Sequence, residues 1–425
     1  MLQLRGVLSA LAFAFALPAA AQTTVVFQDI GPERDAFNKE VVRQFEALHP
    51  DIRVDYRWLA NEPYKTGIKV MLESNSPPDV FFIWAGSFTN DFADSGGAMD
   101  LSDDYESGEG WAATANPALV DQFRYRGGLY GAPAEIYTKW FWKNDRFFAE
   151  HGLEVPETIS DTVEMCRAVR EIDRKMTPIS FGGSESWTIN HYLSVMFARH
   201  VPKEVLASDY QGRTADERIF THPGYKEALR DMRRLQDANC FNRGVNSVDP
   251  GVSRTMFAVD LAATTFCGSW CPPVFDAEGF EGRYSPFAFP KADNGAGDQD
   301  AALVGVQGYQ VAAKSDVKEE ALMFLDFLLS PDTQATMARM AGQLPANASG
   351  LKAGDLPDVS LDLLDLVSET PSSVPPTDTI LETSVADTKL KSGQDFIATT
   401  IDEHMFMARM RNAALKAKRR RGGGA

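Results

Sequence analysis

The chain has 425 residues, of which 44% are hydrophobic, 24% charged and 11% aromatic. This is globular composition, with enough apolar material for a sizeable core and a length that suits two domains or lobes. The 42 Lys and Arg against 59 Asp and Glu leave a net charge of −17. That excludes sequence-independent nucleic-acid binding, which needs a basic surface, and the apolar content excludes intrinsic disorder.

Met1 to Gln22 read MLQLRGVLSALAFAFALPAAAQ. Arg5, the apolar run Val7 to Leu17 and Ala19-Ala20-Ala21 form the pattern of a secretory signal peptide, with residues 1–21 cut away before Gln22. The run falls short of the roughly 20 residues of a membrane span. No Cys follows the cut to take a lipid, so a soluble periplasmic protein of bacterial type is expected.

Thr23 to Phe27 is β-branched and reads as a first strand. Phe37, Val41, Phe45 and Leu48 recur at helical spacing until His49-Pro50 ends the helix. Ile52, Val54 and Tyr56 alternate as a second strand. Asn61 is placed to cap a helix with Tyr64, Ile68, Met71 and Leu72 on its apolar face. Val80 to Trp84 is continuously apolar, as in a parallel strand buried on both faces. This alternation predicts a parallel α/β sheet, with ligands held beyond the carboxyl ends of its strands. Further on, Tyr137 to Trp142 is an aromatic run, Ser160 to Ile172 and Glu319 to Leu329 read as helices, and Tyr309 to Ala313 as a strand. The basic tail Lys416 to Arg421 reads as a solvated, frayed terminus or a contact for anionic lipid.

Cys166, Cys240, Cys267 and Cys271 are even in number and face an oxidising compartment, which allows one or two disulfides or four free thiols. Their spacing and the six scattered His give no zinc set, and no metal or cofactor is expected. Neither Gly-x-Ser-x-Gly nor His-Glu-x-x-His nor a phosphate-binding P-loop is present. A secreted carbohydrate-active enzyme stays in play only because acidic residues are plentiful.

Four stretches, in order, carry a resemblance. They are Phe45 to Val54; Pro78 to Gly86 with Gly96 to Leu101; Gly128 to Pro133 with Phe141 to Asp145; and Gly268-Ser269-Trp270 with Ala321 to Leu328 and Leu344 to Asn347. Together they resemble the extracellular solute-binding proteins of ABC importers, the sugar-binding family 1 that includes maltose-binding protein. The resemblance implies a two-lobed α/β periplasmic-binding-protein fold of type II style, with the ligand cleft between lobes joined by hinge strands. The expected first lobe is 22–133 with 288–343, and the second is 134–287 with 344–425. The expected crossings are Ala132 to Glu135, Phe287 to Pro290 and Gly342 to Pro345. The implied partners are a carbohydrate and an inner-membrane permease, for a monomer that binds no nucleic acid and catalyses nothing. A non-sugar solute such as glycerol phosphate or a polyol is the alternative.

A pyranose presents an apolar face and a rim of hydroxyls, so its site needs aromatic rings beside short polar groups. Trp84 and Trp270 match family positions that contact sugar, and Ser87 and Asn90 follow the first of them. Glu135 and Tyr137 alternate with Lys139, as a ligand-facing strand face or an exposed salt pair. Trp187 is a further aromatic candidate. Gln307 offers donor and acceptor between Gly305 and Gly308, where glycines admit either ligand or a tight turn. Asp29 is placed to bind a hydroxyl or cap the next helix. The late aromatic of maltose-binding protein has no counterpart in Pro375 to Thr379, which argues against a long maltodextrin platform.

Overall fold

The computed structural model describes residues 22–422; the expected signal peptide lies outside them. In chain order come β1 (Thr23–Ile30), α1 (Asp35–Leu48), β2 (Ile52–Leu59), α2 (Asn61–Glu73), β3 (Val80–Trp84) and α3 (Ser87–Ser95). The second half of the fold holds β4 (Ala132–Asn144), α4 (Ile159–Ile172), β5 (Thr177–Ser180), α5 (Ser186–His200), α6 (Gly224–Asp237), α7 (Pro250–Ala258) and β6 (Ala262–Gly268). The chain then returns through β7 (Ala302–Val311) and α8 (Lys318–Leu328), and ends in α9 (Thr377–Ile380), α10 (Thr383–Ile397) and α11 (Glu403–Gly422).

In one ten-stranded sheet seven strands run in the order β2-β1-β3-β7-β4-β6-β5 through both lobes, and three short strands pair at the side of β4 and β7. β1 is parallel to β2 and β3, and β5 is parallel to β6. These two parallel sets are the α/β lobes. The antiparallel pair β7 and β4 joins them. β3 is buried along its whole length, which is why its sequence is unbroken apolar. The first lobe centres on Phe27, Phe45 and Phe324, whose rings meet at 5.1 Å. The second centres on Phe141, Tyr192, Phe266 and Phe289.

Several expectations change. The crossing expected at Phe287 to Pro290 lies later. Phe289 packs 5.1 Å from Phe266 in the second lobe, and the chain goes over within β7, where Leu303 pairs with Lys139 and Gln307 with Trp84. Gly305 and Gly308 sit inside that strand rather than before it. A β-carbon at Gly305 would fall 2.2 Å from the Tyr137 ring, and one at Gly308 would fall 2.0 Å from the Ala132 carbonyl oxygen. These glycines bring strand to strand, not ligand to backbone. Asn61 is the first residue of α2, not its cap. The basic tail is neither frayed nor free. It continues α11, with Lys418 donating to the Thr214 carbonyl and pairing with Asp216. Among the described residues no helix is long and apolar enough to cross a membrane.

Both disulfides form: Cys166–Cys240 ties α4 to the turn after α6, and Cys267–Cys271 closes the loop after β6. The first closes a loop of 74 residues. Replacing Cys166 and Cys240 together by Ser is expected to cost about 2–4 kcal/mol of stability, mainly by freeing the unfolded chain. Urea unfolding of the oxidised protein and the double variant measures it.

Candidate functional site

β1, β2 and β3 end at one cleft, and the segments after β5 and β6 reach it through Glu185 and Trp270, as open α/β sheets dictate. The cavity there has a volume of about 370 Å3. Trp58 stands at the end of β2, Trp84 at the end of β3, Trp187 in the first turn of α5 after β5, and Trp270 in the loop after β6, and all four line it with Tyr137. Four of the chain's seven tryptophans thus line one space, Trp84 from the edge of the first core, so the cleft is built for flat apolar faces. Edge contacts fix the rings. Trp84 stands on Phe82 at 4.8 Å and Phe88 at 5.3 Å, both near perpendicular. Trp270 meets Tyr137 at 6.1 Å and Trp187 at 6.2 Å. The Trp187 indole N–H donates to Glu185. The Cys267–Cys271 bond brackets Trp270 and narrows the freedom of its loop.

Of the residues singled out from sequence, Trp84, Tyr137, Trp187, Trp270 and Gln307 come together on the wall. Ser87, Asn90, Glu135 and Asp29 do not line it. Ser87 donates to the Thr379 carbonyl at 2.9 Å, where Gly86, at φ 110°, leaves room; a β-carbon there would lie 2.3 Å from that same oxygen. Glu135 and Asp29 are fully buried beneath the cleft. Glu135 accepts from Arg34 and Gln307. Asp29 caps no helix; it accepts from Asn38 at 2.6 Å, Tyr309 at 3.1 Å and the Ile30 N–H at 2.7 Å. Burial pushes both carboxyls up, and Arg34 pulls them back.

The charged rim was not legible in the sequence. Glu33 and Arg254 pair across the cleft at 2.8 Å, as do Lys65 and Asp378 at 3.1 Å. Burial opposes charge on Glu33 and on Lys65, but the partner outweighs it and keeps each ionised. Their separations of 221 and 313 residues hide both pairs from any local pattern. Trp58 was missed although it had a signal: it extends the Ile52, Val54, Tyr56 alternation to an aromatic left 40% exposed at the strand end. Among the described residues no three His, Cys, Asp or Glu gather as metal ligands.

Asp378 is held from behind. Asn190 on α5 donates to it at 2.8 Å, and the buried Lys389 on α10 donates to Asn190 at 2.6 Å and to Thr377. Burial lowers Lys389 to about 7, against the pull of Asp378, with His191 also facing it. Its folded value lies below its unfolded one, so the unfolded chain binds the extra proton and stability rises as pH goes from about 7 towards 10.5. Lys389→Met should remove up to about 1.4 kcal/mol of that rise per pH unit. Urea unfolding of both proteins between neutral and alkaline pH checks the slope.

The family model described as bacterial extracellular solute-binding protein matches residues 30–335. An uncharacterized ABC transporter extracellular-binding protein of Pyrococcus horikoshii is 31% identical over 175 residues, and the chain spans 40% of that relative's length and 40% of its own. A multiple sugar-binding protein of Streptococcus mutans is 23% identical over 315 residues, 72% of this chain and 71% of the relative. A solved structure from work on xylan utilization by the thermophilic bacterium Caldanaerobius polysaccharolyticus shares the fold at TM-score 0.85 and 22% identity, over 92% of this chain and 99% of that one. With the family model matching well over half of its length, the chain belongs to the bacterial extracellular solute-binding proteins.

Proposed function

We propose that this protein is the substrate-binding component of an ABC importer, exported by a cleaved signal peptide to the periplasm. It captures a mono- or small oligosaccharide and hands it to a membrane permease. One observation carries the reading: Trp58, Trp84, Trp187, Trp270 and Tyr137, with Gln307, wall a single cavity whose charged rim is Glu33, Lys65, Glu185, Arg254 and Asp378. Rings cover the C–H faces of a sugar, and the rim satisfies its hydroxyls. A volume of about 370 Å3 lies in the range for small-ligand sites. The name of the streptococcal relative agrees with this chemistry. The protein acts as a monomer and alters no covalent bond.

Closure is the working motion. The inferred hinge is the place where three segments lie side by side: Glu135 and Ile136, Val306 and Gln307, and Leu344 and Pro345. Ligand that touches both lobes favours the closed state, because only differential contacts shift the balance.

The test is a thermal-shift screen of the mature protein against sugars, polyols, sugar phosphates, polyamines and amino acids. A sugar at 100 times its Kd should add about 2.7 kcal/mol of stability. Stabilisation by phosphates or amines and by no sugar would overturn the sugar assignment. With the sugar found, Trp270→Ala and Trp84→Ala should each cost about 2 kcal/mol or more of binding by calorimetry. Unchanged affinity in both folded variants would remove these rings from the site.

A further inference from the structure

Lys139 belongs neither to the lining of the main cavity nor to its charged rim. It lies in the middle of β4, opposite Leu303 on one side and Gly268 on the other. It is only 4% exposed. Among the described residues its ammonium has no hydrogen-bond acceptor and no ion-pair partner. Two rings face it, Trp187 with the centroid at 5.2 Å and Phe266 at 4.6 Å, and Arg254 and the buried His191 stand within electrostatic reach. An unpaired buried charge is costly, and structures hold one only when something compensates.

The ammonium opens into a second, small cavity behind Trp187. The hydroxyls around that cavity are nearly all committed: Ser253 donates to the Pro250 carbonyl, Thr188 to the Gly182 carbonyl and Thr265 to the Ser180 carbonyl. The exception is Ser180, whose buried Oγ has no partner. Two free donors, Lys139 Nζ and Ser180 Oγ–H, therefore line one small space. Arg254, 7% exposed, stands at its rim. The volume of about 20 Å3 admits a single water-sized atom. Trp187, Pro250 and Arg254 line this cavity and the main one alike, so the two spaces adjoin along these three residues.

We propose that this recess is an anion subsite, in which Lys139 and Ser180 take one oxygen of a carboxylate carried by the sugar while its other oxygen stays in the main cleft beside Arg254. The preferred ligand is then an acidic sugar, a uronic acid or an oligosaccharide ending in one. A carboxylate supplies what both donors lack, a charge-assisted acceptor. A neutral hydroxyl or a water fills the space but leaves the buried cation uncompensated. Burial together with the nearby Arg254 cation holds the Lys139 amine well below its ordinary value in the empty site, the condition that an arriving anion reverses.

The inference rests on the sugar-binding reading, and the experiment separates the two. Calorimetry would compare glucose with glucuronate, galactose with galacturonate, and the matching disaccharides with and without a terminal uronate. In the pair that binds, the acid should be tighter by about tenfold or more, as one charge-assisted hydrogen bond allows. Lys139→Met should bring that ratio below about threefold. The methionyl chain is apolar and of similar length, so this variant is expected to fold; Ser180→Ala, which removes only a hydroxyl, should lower the ratio as well and serves should Lys139→Met fail to fold. Binding of neutral sugars as tightly as their acids, or a ratio unmoved by both variants, overturns the anion subsite and leaves sugar capture standing. No binding by any sugar, neutral or acidic, overturns both.

Discussion

The buried ion pair between Arg34 and Glu135 holds the cleft in its shape. Glu135 is on β4, the strand that runs from one lobe into the other, and Arg34 ends the short turn after β1. Neither charge tolerates burial alone, because an uncompensated partner costs several kcal/mol. Arg34 is further tied to Tyr309 at 3.2 Å and lies over the Phe82 ring at 4.8 Å. Fixing Arg34 fixes the turn, and the turn sets Glu33 where Arg254 of the second lobe meets it. On the other side, Glu135 holds Gln307 against the cavity wall. One pair beneath the floor thus orients a rim residue, a wall residue and the two hinge strands together.

The cleft is charged at its rim and apolar at its walls, and these parts do different work. Aromatic walls supply contact area at low cost in side-chain freedom. In the cross-lobe pairs Glu33–Arg254 and Lys65–Asp378 all but Glu33 are largely buried, so losing either partner leaves a charge uncompensated, while the pair itself gains only what attraction exceeds desolvation. A ligand whose hydroxyls compete for Arg254 or Asp378 substitutes for these pairs and need not close the lobes against them. Ser87 serves the same contact from the backbone side, through Thr379.

The architecture was legible because its signals are local. The continuous apolar run of β3 and the 3.6-residue spacing of α1 and α4 are properties of neighbouring residues, and the strand and helices appear within a residue or two of the expected bounds. β7 was half seen: Tyr309 to Val311 carries the aromatic and β-branched signal, while the glycines at 305 and 308 made its first part read as a turn. The aromatic wall was legible for the same local reason, since Trp84 and Trp270 sit in short patterned stretches. The ionic part was not. Glu135 was expected at the ligand and lies buried beneath the cleft, because its partner Arg34 is 101 residues away. Lys139, read as a ligand-facing group or half of an exposed salt pair, is buried between two rings, a placement decided by Trp187 and Phe266 from other elements.

The two lobes share one hydrogen-bonded sheet, and this limits how they can part. A hinge made of loops could swing freely, whereas β4 and β7 are laddered to each other on both sides of a single irregularity at Gln307 and Gly308, where Ala134 is skipped. Opening therefore has to proceed as a change of twist, with the ladder intact and the rim pairs separating. Amide hydrogens along Glu135 to Lys139 would then exchange with solvent as slowly in the empty protein as in the filled one, while those at the cleft edge respond to ligand. The inferred hinge lies inside a hydrogen-bonded sheet, so a closing motion there would bend the sheet.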